Sequence, residues 1–271
     1  MEVNISGTNA TKCNKFMDGQ GPFLLLVAMI ENIVVLMLLF TIKTPKSSHT
    51  HRIVMVMAGN DVFGCFVLLL SSFWDAIVCT GFGHSLPCNI LGLIGFSSFS
   101  WSVHIVMVIS VDRFVMVKKP LFHKTRCGWN HLVMACGSGL IAIITVQSMP
   151  LFGIGKGYFY YDVNGFCGFN LSTAGGITHK VLVGLFGGVL LTYVFIIILS
   201  NIGMRMMLQK RTRRLSNREN DKLRISSSKL EHTRAFEKLA LAIAILNIIL
   251  NLPFAVRYYN HISVLLHVDK I

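Results

Sequence analysis

Six apolar runs divide the chain: 22–42, 53–79, 90–117, 131–150, 177–200 and 236–256. A helix rises about 1.5 Å per residue, so a run of about 20 residues crosses the hydrocarbon core of a bilayer. A soluble bundle would need polar stripes on its outer helices, and these runs carry almost none. Charged residues make up 14% of the 271, against roughly 25% in soluble domains, and they fall mostly between the runs. The expected fold is therefore an all-α membrane protein with six transmembrane helices.

Lysine and arginine orient it. Inner-loop candidates 43–52, 113–130 and 203–240 hold 3, 5 and 11 of the 25, leaving 6 for the other face. Positive charge stays on the cytoplasmic side, which puts the N-terminus outside. The sequons at Asn4, Asn9 and Asn170 all fall on that outer face as candidate glycosylation sites. The net charge of +13 then reflects topology and anionic inner-leaflet lipid, not nucleic acid. The resulting domains are an extracellular N-terminus (1–21), a bundle (22–258) with a basic inner loop at about 204–235, and a short extracellular tail (259–271). The first 20 residues are polar and show no cleavable signal, so the first span is the expected insertion signal.

Cysteines follow the same topology. Cys88 opens the third run and Cys167 lies in the outer loop 151–176, so in an oxidising compartment the two can tie that loop over the bundle; the alternative is two free thiols. Cys13 and Cys79, also outside, can form a second bridge. Cys65 and Cys136 read as small buried apolar residues, and Cys127 as a free thiol in the second inner loop.

At the inner end of the third run stands Asp112-Arg113-Phe114, 24 residues after Cys88. That separation is about 36 Å of helix, so the two features mark opposite faces of one membrane. Arginine costs about 2.5–3.5 kcal/mol at a helix centre, and charge tolerated near a span is functional by default. Deeper in the spans, Asn32, Asp61 and Ser102 lie at comparable depths. An intramembrane aspartate needs a cation, a proton or hydrogen-bond donors. Asn32 and Ser102 can complete a sodium or water node beside Asp61; the alternative is a protonated Asp61 held by its neighbours. Glu31, about 100° round the helix from Asn32, cannot face the same neighbour and has no partner legible in the sequence. Asp75 and Arg257 near the outer ends either meet a ligand or snorkel to water.

Pro253 removes a backbone hydrogen bond late in the sixth run and makes a hinge there. Below it, the basic segment 205–238, with Ser216 and Ser226-Ser227-Ser228, suits an effector contact and phosphorylation, or an electrostatic anchor to lipid.

Taken in order, Asn32, Asp61, Cys88, Asp112-Arg113-Phe114, Cys167 and Pro253 resemble the rhodopsin-like (class A) G-protein-coupled receptors. Within that class the chain is most similar to the prostanoid (prostaglandin and thromboxane) receptors. The carriers are Pro120-Leu121-Phe122-His123 in the second inner loop, the run from Pro150 to Gly155, the stretch from Tyr161 to Cys167, and the run from Leu252 to Tyr258. The resemblance implies a rhodopsin-like bundle, a G-protein switch at Asp112, Arg113 and Phe114, and ligand contacts at Phe166, Asn251 and Arg257.

There are departures. Phe166 and Gly165 replace the family's tryptophan and the threonine before it, and Asn251 stands where prostanoid receptors have serine. The fourth run has no tryptophan. Thr233 replaces the acid that would lock Arg113, so restraint of Arg113 is expected mainly from Asp112. Beyond the sixth run and Tyr259 only residues 260–271 remain, so the seventh helix of the family is not expected in this chain.

The functional expectation is a plasma-membrane receptor for a prostanoid-like lipid, coupled to a heterotrimeric G protein, possessing neither catalytic residues nor a metal site or cofactor. The rivals are a truncated, non-signalling receptor that modulates full-length partners, and a six-span transporter or channel, which would show internal repeats or paired broken helices.

Overall fold

Helices account for most of the computed structural model, which describes residues 20–41, 49–78, 86–154, 158–161, 166–169 and 177–216. The order is α1 (Gln20–Thr41), α2 (His49–Val78), α3 (Leu86–Lys118), α4 (Pro120–Arg126), α5 (Trp129–Ser148), a 3-10 turn (Met149–Phe152), β1 (Tyr158–Tyr161), β2 (Phe166–Phe169) and α6 (Ile177–Ser216). Five of these helices are long and apolar enough to span a membrane: Gly21–Thr41, His51–Trp74, Leu86–Lys118, Trp129–Phe152 and Thr178–Lys210. They coincide with the first five apolar runs. The sixth run, 236–256, lies outside the described residues.

Local chemistry sets the breaks. Lys119 precedes Pro120 and adopts φ −133°, ψ 72°, because the proline ring disfavours helical backbone in the residue before it. Pro120 then sits in the first turn of α4, where its missing N–H costs nothing. After α5, the turn around Pro150 closes at Gly153, whose φ of +80° suits glycine. Its N–H donates to the Pro150 carbonyl (3.2 Å), and the Ile154 N–H to that of Met149 (3.2 Å).

Two boundaries differ from the sequence reading. α5 starts at Trp129, two residues ahead of the fourth run, so this span does contain a tryptophan at its first position. The basic segment 204–235 is not loop from its start, because α6 continues through Ser216. Hydropathy ends near Ser200, but Met, Leu, Gln, Lys and Arg beyond Gly203 are good helix formers and no proline interrupts them.

The chain divides into two units, residues 1–102 with 137–183, and residues 103–136 with 184–271. In the first, α2 and α3 approach closely through small residues. A Cβ on Gly64 would lie 2.9 Å from Ser98 Cβ, and one on Gly95 would lie 2.5 Å from Leu68 Cδ2. Such contacts are how helices pack without a hydrophobic driving force. The core there includes Ile53, Met57, Ala58, Val67 and Leu69, with Ser71, Ser72, Ser97, Ser98 and Ser100 also buried. In the second unit the core includes Val103, Ile105, Val106, Val117, Leu132 and Ile197.

Candidate functional site

The outer loop is a hairpin. β1 and β2 pair antiparallel, with Tyr160 opposite Cys167 and Tyr161 opposite Phe166. Cys167 is disulfide-bonded to Cys88 at the start of α3, with Cα atoms 5.4 Å apart and both residues fully buried. The Cys167 N–H also donates to Ser71 Oγ (3.3 Å), whose own hydroxyl donates to the Leu68 carbonyl (2.6 Å). Phe169 stacks on His179 at the start of α6, with centroids 6.0 Å apart and planes 18° apart. The strand is thus held to α2, α3 and α6 within one unit.

Deeper in that unit lies the aspartate node. Ser102 Oγ donates to Asp61 Oδ1. Asn60 Nδ2 donates to the Ser102 hydroxyl and to the Ser98 carbonyl, 2.7 Å each. One hydroxyl therefore accepts from an amide and donates to a carboxylate, a relay in which each bond polarises the next. The amide here is Asn60, not the expected Asn32. Asn32 Nδ2 donates to the Ala28 carbonyl one turn back in its own helix (2.9 Å). Both asparagines sit at similar depth, and only helix rotation decides between them.

A second polar cluster joins α3 to α5 and was not foreseen. Gln147 Oε1 accepts from Ser97 Oγ (2.9 Å), and its Nε2 donates to Ser100 Oγ (2.7 Å) and more distantly to the Phe96 carbonyl (3.4 Å). Gln147 is 4% exposed. A primary amide inside the fourth apolar run was the available signal, because buried polar groups in lipid must be satisfied by protein.

In the second unit, Asp112 is engaged by a residue other than its neighbour. His123 Nε2 donates to Asp112 Oδ1 at 2.8 Å, with the side chains 19% and 12% exposed. Asp112, from which restraint of Arg113 was expected, is thus engaged by α4. The cause is the turn at Lys119 and Pro120, which folds α4 back against the end of α3. Phe114 lies against α6, where a Cβ on Gly203 would meet its Cε2 at 2.6 Å. Lys118 Nζ is 5.3 Å from the Phe114 ring centroid, within cation–π reach. Arg113 is half-buried. Further along α3, buried His104 donates through Nε2 to the Ala135 carbonyl (3.1 Å) and lies 5.3 Å from the Tyr193 ring.

Phe166 is placed only as a strand residue. Asn4, Asn9, Asn170, Asn251, Pro253 and Arg257, together with Cys13 and Cys79, lie outside the described residues.

The model of the 7 transmembrane receptor (rhodopsin family) matches residues 31–266. Among solved structures, the crystal structure of squid rhodopsin is similar in fold, with a TM-score of 0.68 at 16% identity, covering 96% of this chain and 77% of that one. No curated protein matches the sequence.

Proposed function

The chain belongs to the rhodopsin family of seven-transmembrane receptors, and on that premise we propose that it is a plasma-membrane receptor for a prostanoid-like lipid that activates a heterotrimeric G protein. Membership makes it a multi-pass membrane receptor and not an enzyme.

The observation that carries the reading is helix α3. It bears a disulfide-tethered Cys88 near one end and Asp112-Arg113-Phe114 near the other, 24 residues away. A disulfide needs an oxidising compartment, and the excess of lysine and arginine beyond the Arg113 end agrees with a cytoplasmic location for that end. The N-terminus and the sequons at Asn4, Asn9 and Asn170 then lie outside. The ligand class rests on the prostanoid-like runs at Pro120–His123, 150–155 and 252–258. The proposed contacts are Phe166, Asn251 and Arg257.

Ligand shifts a population between two packings by binding one of them better. The sixth run pivots about Pro253, and Arg113 becomes available to the G protein. In the resting packing, Asp112 is held by His123 and Phe114 by α6. Asp61 and Ser102 supply oxygens that suit a sodium ion; Asn32, with its amide nitrogen bonded within α1, is at most a peripheral member of that node.

The test is nucleotide exchange on G proteins in membranes carrying surface-labelled protein, with a panel of prostanoids and Arg113→Ala as control. Activation by one prostanoid, abolished by Arg113→Ala, supports the reading. Silence at saturating ligand with protein at the surface refutes it and favours the non-signalling form, which surface labelling with and without a full-length relative would then identify.

A further inference from the structure

His104 lies 18 residues from Leu86 and 14 from Lys118 in α3, about 27 and 21 Å along the axis from the two ends. It is therefore deep within the span, and it is 8% exposed. Its Nε2 donates to the Ala135 carbonyl (3.1 Å), since a carbonyl can only accept. Nδ1 is buried, and among the described residues nothing bonds it. A buried polar atom left unpaired is destabilising. At this depth the bilayer offers no water, so a partner has to come from the protein.

Tyr193 of α6 stands beside this imidazole. The ring centroids are 5.3 Å apart with the planes at 58°, an aromatic pair within the usual range of about 4.5–7 Å. Tyr193 thus presents its ring to His104, and among the described residues no hydrogen bond engages its hydroxyl. A phenol hydroxyl both donates and accepts, so it can pair with Nδ1 whether or not that nitrogen carries a proton. The helices keep register below this point. Ten residues on from His104 and from Tyr193, Phe114 meets Gly203, where a Cβ would lie 2.6 Å from Phe114 Cε2. A small turn of α6 about its axis therefore changes both contacts together.

We propose that His104 and Tyr193 form a latch between α3 and α6. In a second packing of α6 the Tyr193 hydroxyl bonds His104 Nδ1; in the packing shown, the ring contact stands in place of that bond. The bond offsets part of the cost of moving α6 off Phe114. The two packings then lie close enough in free energy for a ligand to select between them. That link to ligand rests on the receptor reading above, whereas the latch itself does not. The rival partner is Cys136, next to Ala135, whose thiol is a weak donor.

The test uses the full chain in lipid bilayers, without ligand or G protein, with nitrogen-labelled histidine and carbonyl-labelled alanine. Correlation of Nε2 with the Ala135 carbonyl assigns the His104 ring. Nδ1 should exchange between an unpaired and a hydrogen-bonded environment, read by relaxation dispersion on the microsecond-to-millisecond scale. Tyr193→Phe keeps the ring and removes a hydroxyl that is unbonded in this packing, so the fold is retained. It should lower the bonded population roughly 3-fold to 15-fold, the range for one interhelical hydrogen bond in a membrane. Cys136→Ala should leave that population unchanged. A single Nδ1 environment, exchange that survives Tyr193→Phe, or exchange lost in Cys136→Ala would each overturn the latch. None of these readouts needs an agonist. The latch can therefore fail while the receptor reading stands, and a chain that never activates a G protein can still show it.

Discussion

Replacing Gln147 with leucine removes an amide from the lipid-embedded contact between α3 and α5 while nearly conserving volume. The loss is then one of hydrogen bonding and not of packing. Two good bonds disappear, to Ser97 Oγ at 2.9 Å and Ser100 Oγ at 2.7 Å; the contact with the Phe96 carbonyl, at 3.4 Å, counts for little. Interhelical hydrogen bonds in membranes average about 0.6 kcal/mol with a maximum near 1.7, so the pair is worth about 1–3 kcal/mol. Ser100 keeps its bond to the Phe96 carbonyl (2.8 Å), and Ser97 can turn its hydroxyl to its own helix backbone. Both relaxations argue for the lower half of that range.

The assay is reversible unfolding in bicelles, with Thr145→Val as reference. Thr145 sits two residues away on the same helix, exposed, and its hydroxyl donates to the Ile141 carbonyl of its own helix (2.8 Å). Its loss is expected to cost under about 0.5 kcal/mol. A cycle pairing Gln147→Leu with Ser97→Ala should show coupling of at least about 0.5 kcal/mol. If Gln147→Leu matches Thr145→Val, or the two changes add without coupling, the cluster does not hold α3 to α5 and the reasoning fails.

Two further predictions concern the inner end. Gly203→Ala places a methyl 2.6 Å from the edge of the Phe114 ring and should cost about 1–3 kcal/mol as overpacking; Phe114→Leu in the same chain should recover part of it, and strictly additive losses in thermal unfolding would contradict the close approach. His123→Phe removes a hydrogen bond to a carboxylate, worth about 1.5–3 kcal/mol when buried. If the pair restrains the resting state, ligand-free nucleotide exchange should rise about tenfold or more; basal exchange equal to that of the parent, with the protein at the surface, would show that the pair is not a restraint.

Span position was readable because the bilayer imposes a length on apolar runs, and five of the six runs have helices along them. Helix ends were less readable because hydropathy and helix propensity stop at different places. α6 outlasts its apolar run by sixteen residues, since Met206, Met207, Leu208 and Gln209 favour helix although the segment is too basic for lipid. The Cys88–Cys167 bridge was readable from topology alone. The identity of the amide beside Asp61 was not: depth is set by position in the run, whereas contact is set by rotation, and Asn60 faces Ser102 where Asn32 turns to Ala28.

His123 was hidden for a related reason. It lies 11 residues from Asp112, a distance at which sequence predicts contact only if the chain reverses between them. The reversal comes from one residue pair, because Pro120 pushes Lys119 out of helical backbone and starts a new helix in the same step. A single substitution tests this link between local stereochemistry and the inner site. Pro120→Ala frees Lys119 to continue α3, and a continuous helix would carry a residue 11 positions on about 16 Å along the axis, well beyond the reach of Asp112 Oδ1. Loss of the Asp112–His123 pair should therefore accompany Pro120→Ala, with basal exchange rising as in His123→Phe. The double variant should behave like either single one. If the two changes instead raise exchange additively, Pro120 acts on the site by some route other than the placement of His123.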